Sequence, residues 1–156
     1  MAVVRPEDLL SLLGISQNQV DCAGIKLTLA EIYLPAEQGF LGINSKNIPR
    51  YNALEARNNV FSLPPGAYIV RYREYVKIPD DCIALAIPRS SLLRMGATLY
   101  TAVWDPGYKG RGYGLLAVFN NRGIVLEKGA QIAQLVYIKM TGRTSFTYRG
   151  TFYGER

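Results

Sequence analysis

The chain is punctuated too often for long helices. Runs rich in β-branched and aromatic residues recur along it, and clusters of proline, glycine and asparagine separate them. Gly24 to Tyr33, GIKLTLAEIY, alternates apolar and polar side chains, the period of a half-buried strand. Ala67 to Val76, Cys82 to Ile87, Ala97 to Trp104, Gly114 to Phe119 and Gln131 to Lys139 read the same way. Breaks fall at Pro64-Pro65-Gly66, Pro79-Asp80, Pro106-Gly107, Asn120-Asn121-Arg122-Gly123 and Lys128-Gly129. Many short strands at this spacing predict an all-β barrel, sandwich or jelly roll. Residues 34 to 59 are polar and weakly periodic, and read as a long excursion.

Two stretches depart from the β pattern. Near the start, Pro6 fits a first helical turn, where its missing N–H is not needed. Glu7 and Asp8 favour the positive helix end, and Leu9, Leu10, Leu12 and Leu13 give an apolar face that stops at Gly14. This predicts a helix within residues 1–14. The second stretch, Arg89 to Gly96, has helical spacing, with Ser90 or Ser91 as cap and Gly96 as terminator. A short helix set between strands would aim backbone N–H groups, a serine hydroxyl and Arg89 at one spot, an arrangement suited to phosphate. The plainer reading is a capped turn with a solvated arginine.

Composition narrows the chemistry. With 156 residues, 49% of them hydrophobic and 19% charged, the chain predicts one soluble globular domain over 1–156. No apolar run approaches the roughly 18 residues of a membrane helix. The opening MAVVRPEDLLSLLG carries acids in its apolar stretch and lacks a basic leader region, so a cytoplasmic location is expected. Cys22 and Cys82 form no CxxC, which fits a reducing compartment and leaves a disulfide open. Histidine is absent, which excludes Ser-His-Asp, Cys-His and histidine-based metal sites. Chemistry falls to carboxylates, Lys, Arg, Tyr or Ser, with a hard metal ion if one is needed. The net charge of +6 fits a polyanionic partner, either a triphosphate or nucleic acid, and equally fits simple solubility.

Three motifs in order then carry a resemblance: PRSSLLRMG, WDPGYKG and KGAQIAQLVY. Together they resemble the dUTPase and dCTP deaminase superfamily over roughly residues 17 to 154, most of all its archaeal-type branch. The resemblance implies a jelly-roll-like β-barrel (the β-clip type), a homotrimer with sites between subunits, and a magnesium-bound nucleoside triphosphate as substrate, dUTP in the main reading. In deaminases of this family a glutamate follows the DPG turn, in a pattern like ITLEL. Leu115 stands there in GYGLLA and has no proton to transfer, which favours triphosphate hydrolysis.

The resemblance implies the following roles. Asp105 would orient and deprotonate the water that attacks the α-phosphorus; alone it reads as a turn-initiating aspartate. Tyr108 would pack on the deoxyribose and exclude a 2′-hydroxyl; packing within the fold is its rival in a chain with 11 tyrosines. The backbone from Leu99 to Trp104 would read the uracil edge, with Ala102 where the family has glycine and Trp104 where it has isoleucine. Arg89, Ser90, Ser91 and Gln134 would contact phosphates. The glycines of the hairpin at 100 to 114 would let backbone and nucleotide approach closely.

Two departures touch the metal and the tail. The family's AGxDL motif reads AGIKL here, so Lys26 takes the place of an aspartate that holds a magnesium-bound water, and Asp21 becomes the candidate in its stead. The tail, residues 141–156, is expected to be flexible and to close over substrate with Arg149 and Phe152. The rival readings are a regulatory trimer that binds nucleotide without turnover, a dCTP-directed enzyme, and a basic nucleic-acid-binding barrel, the last ranked lowest. No membrane partner is expected.

Overall fold

A computed structural model describes residues 2–155. The main sheet has the strand order Ala2–Val3, Gln131–Lys139, Gly24–Pro35, Gly66–Tyr72, Tyr113–Val118 and Ala97–Tyr100. Cys82–Pro88 also pairs with Gln131–Lys139, while Val20–Asp21 and Tyr51–Ala53 pair with Gly24–Pro35. Neighbouring strands throughout are antiparallel, and the sheet curls into a half-barrel.

The curl begins in one strand. The first part of Gly24–Pro35 pairs with Gln131–Lys139, from Ile25 opposite Leu135 to Thr28 opposite Gln131. Its second part pairs with Gly66–Tyr72, from Leu29 opposite Tyr72 to Tyr33 opposite Ile69. The register slips between Leu29 and Glu31. Burial slips with it: Ile25, Leu27 and Leu29 face the core at a spacing of two, and the next buried side chain is Ile32. One extra residue has turned the strand over and bent it. The backbone N–H of Thr28 donates to Glu74 Oε2 at 2.7 Å and its hydroxyl to Oε1 at 2.6 Å. A carboxylate thus takes up the donor at the bend.

The core fills the concave face with Leu27, Leu29, Val70, Tyr72, Leu135 and Tyr137, all fully buried. Pro6–Leu13 forms the expected helix, stopped by Gly14 at φ 64°. Of its apolar face only Leu9 is fully buried, and residues 2–3 form a strand rather than extending the helix. The second helix is Ser90–Arg94. Its N-cap is Arg89, without a side-chain cap bond, so neither Ser90 nor Ser91 caps it as expected.

Several boundaries differ from the sequence reading. The strand expected over 97–104 ends at Tyr100, because residues 101–112 leave the ladder and only Trp104 returns, as a single bridge to Ala84. The run 67–76 divides into Gly66–Tyr72 and Val76–Lys77, the latter paired with Lys109–Gly110. Val60–Leu63 and Ile124–Glu127 pair as a two-stranded sheet that the sequence reading did not identify. The 34–59 excursion contains only the short strands Phe40–Leu41, Lys46–Asn47 and Tyr51–Ala53. Both cysteines are free, Cys82 buried and Cys22 exposed. Among the described residues no helix is long and apolar enough to cross a membrane.

Gly24 sits where the two longest strands touch. A Cβ there would lie 2.2 Å from the Leu135 carbonyl oxygen, a backbone atom with no freedom to move aside. Gly24→Ala is expected to lower the unfolding free energy by about 3 kcal/mol in a urea titration. Gly142→Ala, with nothing within 4 Å, should change it by less than about 0.5 kcal/mol.

Candidate functional site

The expected site residues fall into two groups, one just beyond the Cys82–Pro88 strand and one beside its middle, where Thr101 meets Ala86 and Trp104 meets Ala84. The first group surrounds Arg89, just beyond that strand. Arg89 Nη1 donates to Asp21 Oδ2, and Gln131 Nε2 donates to the same oxygen at 2.7 Å. The Cys22 backbone N–H donates to Asp21 Oδ1 at 2.8 Å. Gln131 above all, with the Cys22 N–H and the Arg89 charge, holds the Asp21 carboxyl well below the usual range against the opposing effect of burial. Gln134 lies on the neighbouring strand opposite Ile87 and Lys26. Ser90 and Ser91 are exposed on the helix that follows Arg89. Lys26 Nζ donates to the Asn18 carbonyl at 2.9 Å, which ties the 24–35 strand to the turn before it.

The second group lies in the 101–112 segment. Trp104 is 7% exposed and exchanges two backbone hydrogen bonds with Ala84, at 2.9 and 3.0 Å. Its backbone polar groups are therefore occupied, and those left open nearby belong to exposed Ala102 and Val103. Asp105 follows on the rim with an exposed side chain that has no hydrogen-bond partner among the described residues. Its carbonyl accepts from Tyr108 N–H at 3.1 Å, and Gly107 N–H donates to Ile78 at 2.9 Å. The carboxylate thus projects from a backbone fixed on both sides.

Tyr108 is 8% exposed, its ring edge-on to Trp104 at 5.4 Å and to Tyr148 at 5.5 Å. Burial, with the nearby Glu155 charge, pushes its hydroxyl far above the usual tyrosine range. Two glycines of this stretch lie against rings. A Cβ on Gly112 would meet Trp104 at 2.1 Å, and one on Gly114 the Tyr72 hydroxyl at 2.5 Å.

The tail lies along this segment. Tyr148 N–H donates to Pro106 at 2.7 Å, Gly154 N–H to Lys109 at 2.8 Å, and Arg111 N–H to Glu155 at 3.0 Å. Phe152 rests 40% exposed beside the Lys46 ammonium, and Arg149 is exposed.

Asp105 and Arg89 do not meet within one chain. Trp104 pairs with Ala84, and Arg89 lies five residues further along, about 16 Å at the rise of a strand. Sequence reasoning did not find Gln131 or the Arg89–Asp21 contact, whose partners stand 68 residues apart.

Residues 8–140 match the family described as dCTP deaminase-like. The chain belongs to that family. Among similar proteins is one from Aeropyrum pernix named probable deoxyuridine 5'-triphosphate nucleotidohydrolase. It is 44% identical over 91% of this chain and 89% of its own. One from Methanocaldococcus jannaschii, named deoxyuridine 5'-triphosphate nucleotidohydrolase, is 38% identical over 91% of this chain and 92% of its own. The fold is similar to the crystal structure of 2'-deoxycytidine 5'-triphosphate deaminase from Agrobacterium tumefaciens. There the TM-score is 0.70 at 20% identity, with 91% of this chain covered, and the chain spans 49% of that one's length.

Because the folded-state pKa of Asp21 is depressed, its contribution to stability is present above the unfolded value, about 3.9, and is lost as pH falls through the folded value. Asp21→Asn should therefore be less stable than the parent at pH 7. The expected deficit is on the order of 1 kcal/mol, since both side chains keep some solvent contact. Thermal melts from pH 7 to pH 2 should show that deficit shrinking below about pH 4.

Proposed function

We propose that the protein hydrolyses dUTP to dUMP and pyrophosphate. Water oriented by Asp105 attacks the α-phosphorus; a new P–O bond forms, the bond to the β-phosphate bridging oxygen breaks, and the carboxylate accepts the water proton. The observation that carries the reading is Asp105 itself, a carboxylate without a partner among the described residues, on a backbone fastened by Trp104 and Gly107. Relatives at 44% and 38% identity, covering nine-tenths of the chain, bear the name of this activity. Leu115 supports hydrolysis over deamination. It stands on the strand between Tyr100 and Ile69, so neither cross-strand neighbour offers a carboxylate to move a proton at a pyrimidine ring.

The separation of the two groups favours a site built between subunits. Asp105, Ala102 and Tyr108 of one copy would face Arg89, Ser90, Ser91 and Gln134 of another, as in the closed trimer that the resemblance implies. The open backbone at Ala102 and Val103 would read the base. Tyr108 would meet the sugar only after Tyr148 moves from its ring, and Arg149 and Phe152 would travel with that motion.

The magnesium ion implied by the resemblance does not fit residues of this chain. Among the described residues no three His, Cys, Asp or Glu cluster, Asp21 already accepts from three donors, and a guanidinium lies against it. When bound with the triphosphate the ion would neutralise phosphate charge.

Pyrophosphate release from dUTP, dCTP, dTTP and UTP in magnesium buffer tests the reading. Turnover of dUTP above the others is expected, with kcat reduced about 10²- to 10⁴-fold in Asp105→Asn. Equal turnover in that variant removes Asp105 from the chemistry. Binding of dUTP without any turnover replaces the enzyme with a nucleotide-binding protein.

A further inference from the structure

A basic groove lies apart from Arg89 and Gln134. Its volume is about 830 Å³, and it runs between the end of the Pro6–Leu13 helix, residues 77–80, the Gly107–Lys109 turn and the tail. Lys77, Lys109, Arg143 and Arg149 line it, against one acid, Asp80. None of the four cations forms an ion pair among the described residues.

Two of these charges oppose each other by construction. Lys77 and Lys109 are direct cross-strand partners in their two-stranded ladder. Directly opposed side chains have Cβ atoms about 5 Å apart, and like charges at that spacing destabilise the pair. A carboxylate at either position would have relieved the repulsion. The fold instead adds Arg143 and Arg149 to the same space and sets the Tyr148 and Tyr153 rings beside them. Leu12 and Leu13 line the groove as well, and its volume of about 830 Å³ suits one small molecule.

We propose that this groove binds a polyphosphate chain, as borne by inorganic triphosphate or a nucleoside triphosphate, at a site apart from Arg89 and Gln134 that shares Arg149 of the tail with the hydrolysis site. Lys77 and Lys109 bracket adjacent phosphates, the anion removes their mutual repulsion, and Arg143 and Arg149 close over it from the tail. Because Tyr148 joins this wall to Tyr108, an occupied groove would hold the tail down on the 105–111 segment.

Calorimetric titration of inorganic triphosphate into the full chain tests this without reference to turnover. Lys77→Gln/Lys109→Gln should weaken binding at least about tenfold, the equivalent of one charge-assisted contact. Arg89→Gln should leave the groove's affinity unchanged. Without ligand the double lysine variant should melt above the parent, since the like-charge pair is gone. ATP binding tighter than triphosphate would assign the ring to Tyr148 and Tyr153, and equal affinity would assign the site to the phosphates alone. The proposal fails if the lysine substitutions leave triphosphate affinity unchanged, or if Arg89→Gln abolishes all of it. It fails equally if a single-stranded oligonucleotide binds in a lysine-dependent manner and triphosphate does not. Absence of dUTP turnover would leave every one of these readouts intact.

Discussion

Everything in this fold hangs on the change of partner at Thr28 and Leu29. One strand serves two ladders, with Gln131–Lys139 before the bend and Gly66–Tyr72 after it. A flat strand could not do both and keep its apolar side chains on one core. The slip between Leu29 and Glu31 restores Ile32 to the interior, and Glu74 takes the Thr28 donors at the bend. The Leu29 N–H still finds a carbonyl, that of Ala130 at 2.9 Å, and the Leu29 carbonyl accepts from Gly129 at 2.7 Å. The bend is thus satisfied on both edges, which is what allows it to persist in a buried setting. Because Gln131 stands opposite Thr28, the same bend presents Gln131 to Asp21.

Charge is distributed unevenly around this frame. At the Arg89 end the guanidinium is answered by Asp21, so the local charge is settled within the chain. A phosphate arriving there competes with a carboxylate for the same guanidinium. At the tail end the cations of the groove form no ion pair among the described residues. Screening weakens exposed charges at physiological salt, but charges gathered in one recess reinforce one another at short range. The two ends therefore differ: at one the guanidinium is paired with a carboxylate while Lys26 meets only the Asn18 carbonyl, and at the other four cations share one recess.

The strands with strong alternation were legible. GIKLTLAEIY and QIAQLVYIK face a core on one side only, and their period survives in the sequence. Val60–Leu63 and Ile124–Glu127 were not, because four residues carry too little periodicity and the partners stand some sixty residues apart. Residues 101–104 look like a strand because they are apolar and extended, yet only Trp104 bridges, and the composition holds no trace of that difference. The candidate Asp105 was legible through its motif. The opposition of Lys77 and Lys109 was not, since their register exists only once residues 78–108 have folded back.

The glycines between Arg111 and Leu115 show how function and packing share one stretch. Gly112 and Gly114 leave space for Trp104 and Tyr72, and these rings lie 6.0 Å apart. Trp104 touches Tyr108, and Tyr108 touches Tyr148. A row of rings thus runs from Tyr72, fully buried, to the tail at the surface. Packed rings transmit displacement because the interior leaves them little free volume. Tyr148 contacts Tyr108, and Tyr108 contacts Trp104, which directly precedes Asp105. The backbone beside Asp105 is thus joined to the tail twice, through this row of rings and through the Tyr148 N–H to Pro106 hydrogen bond at 2.7 Å.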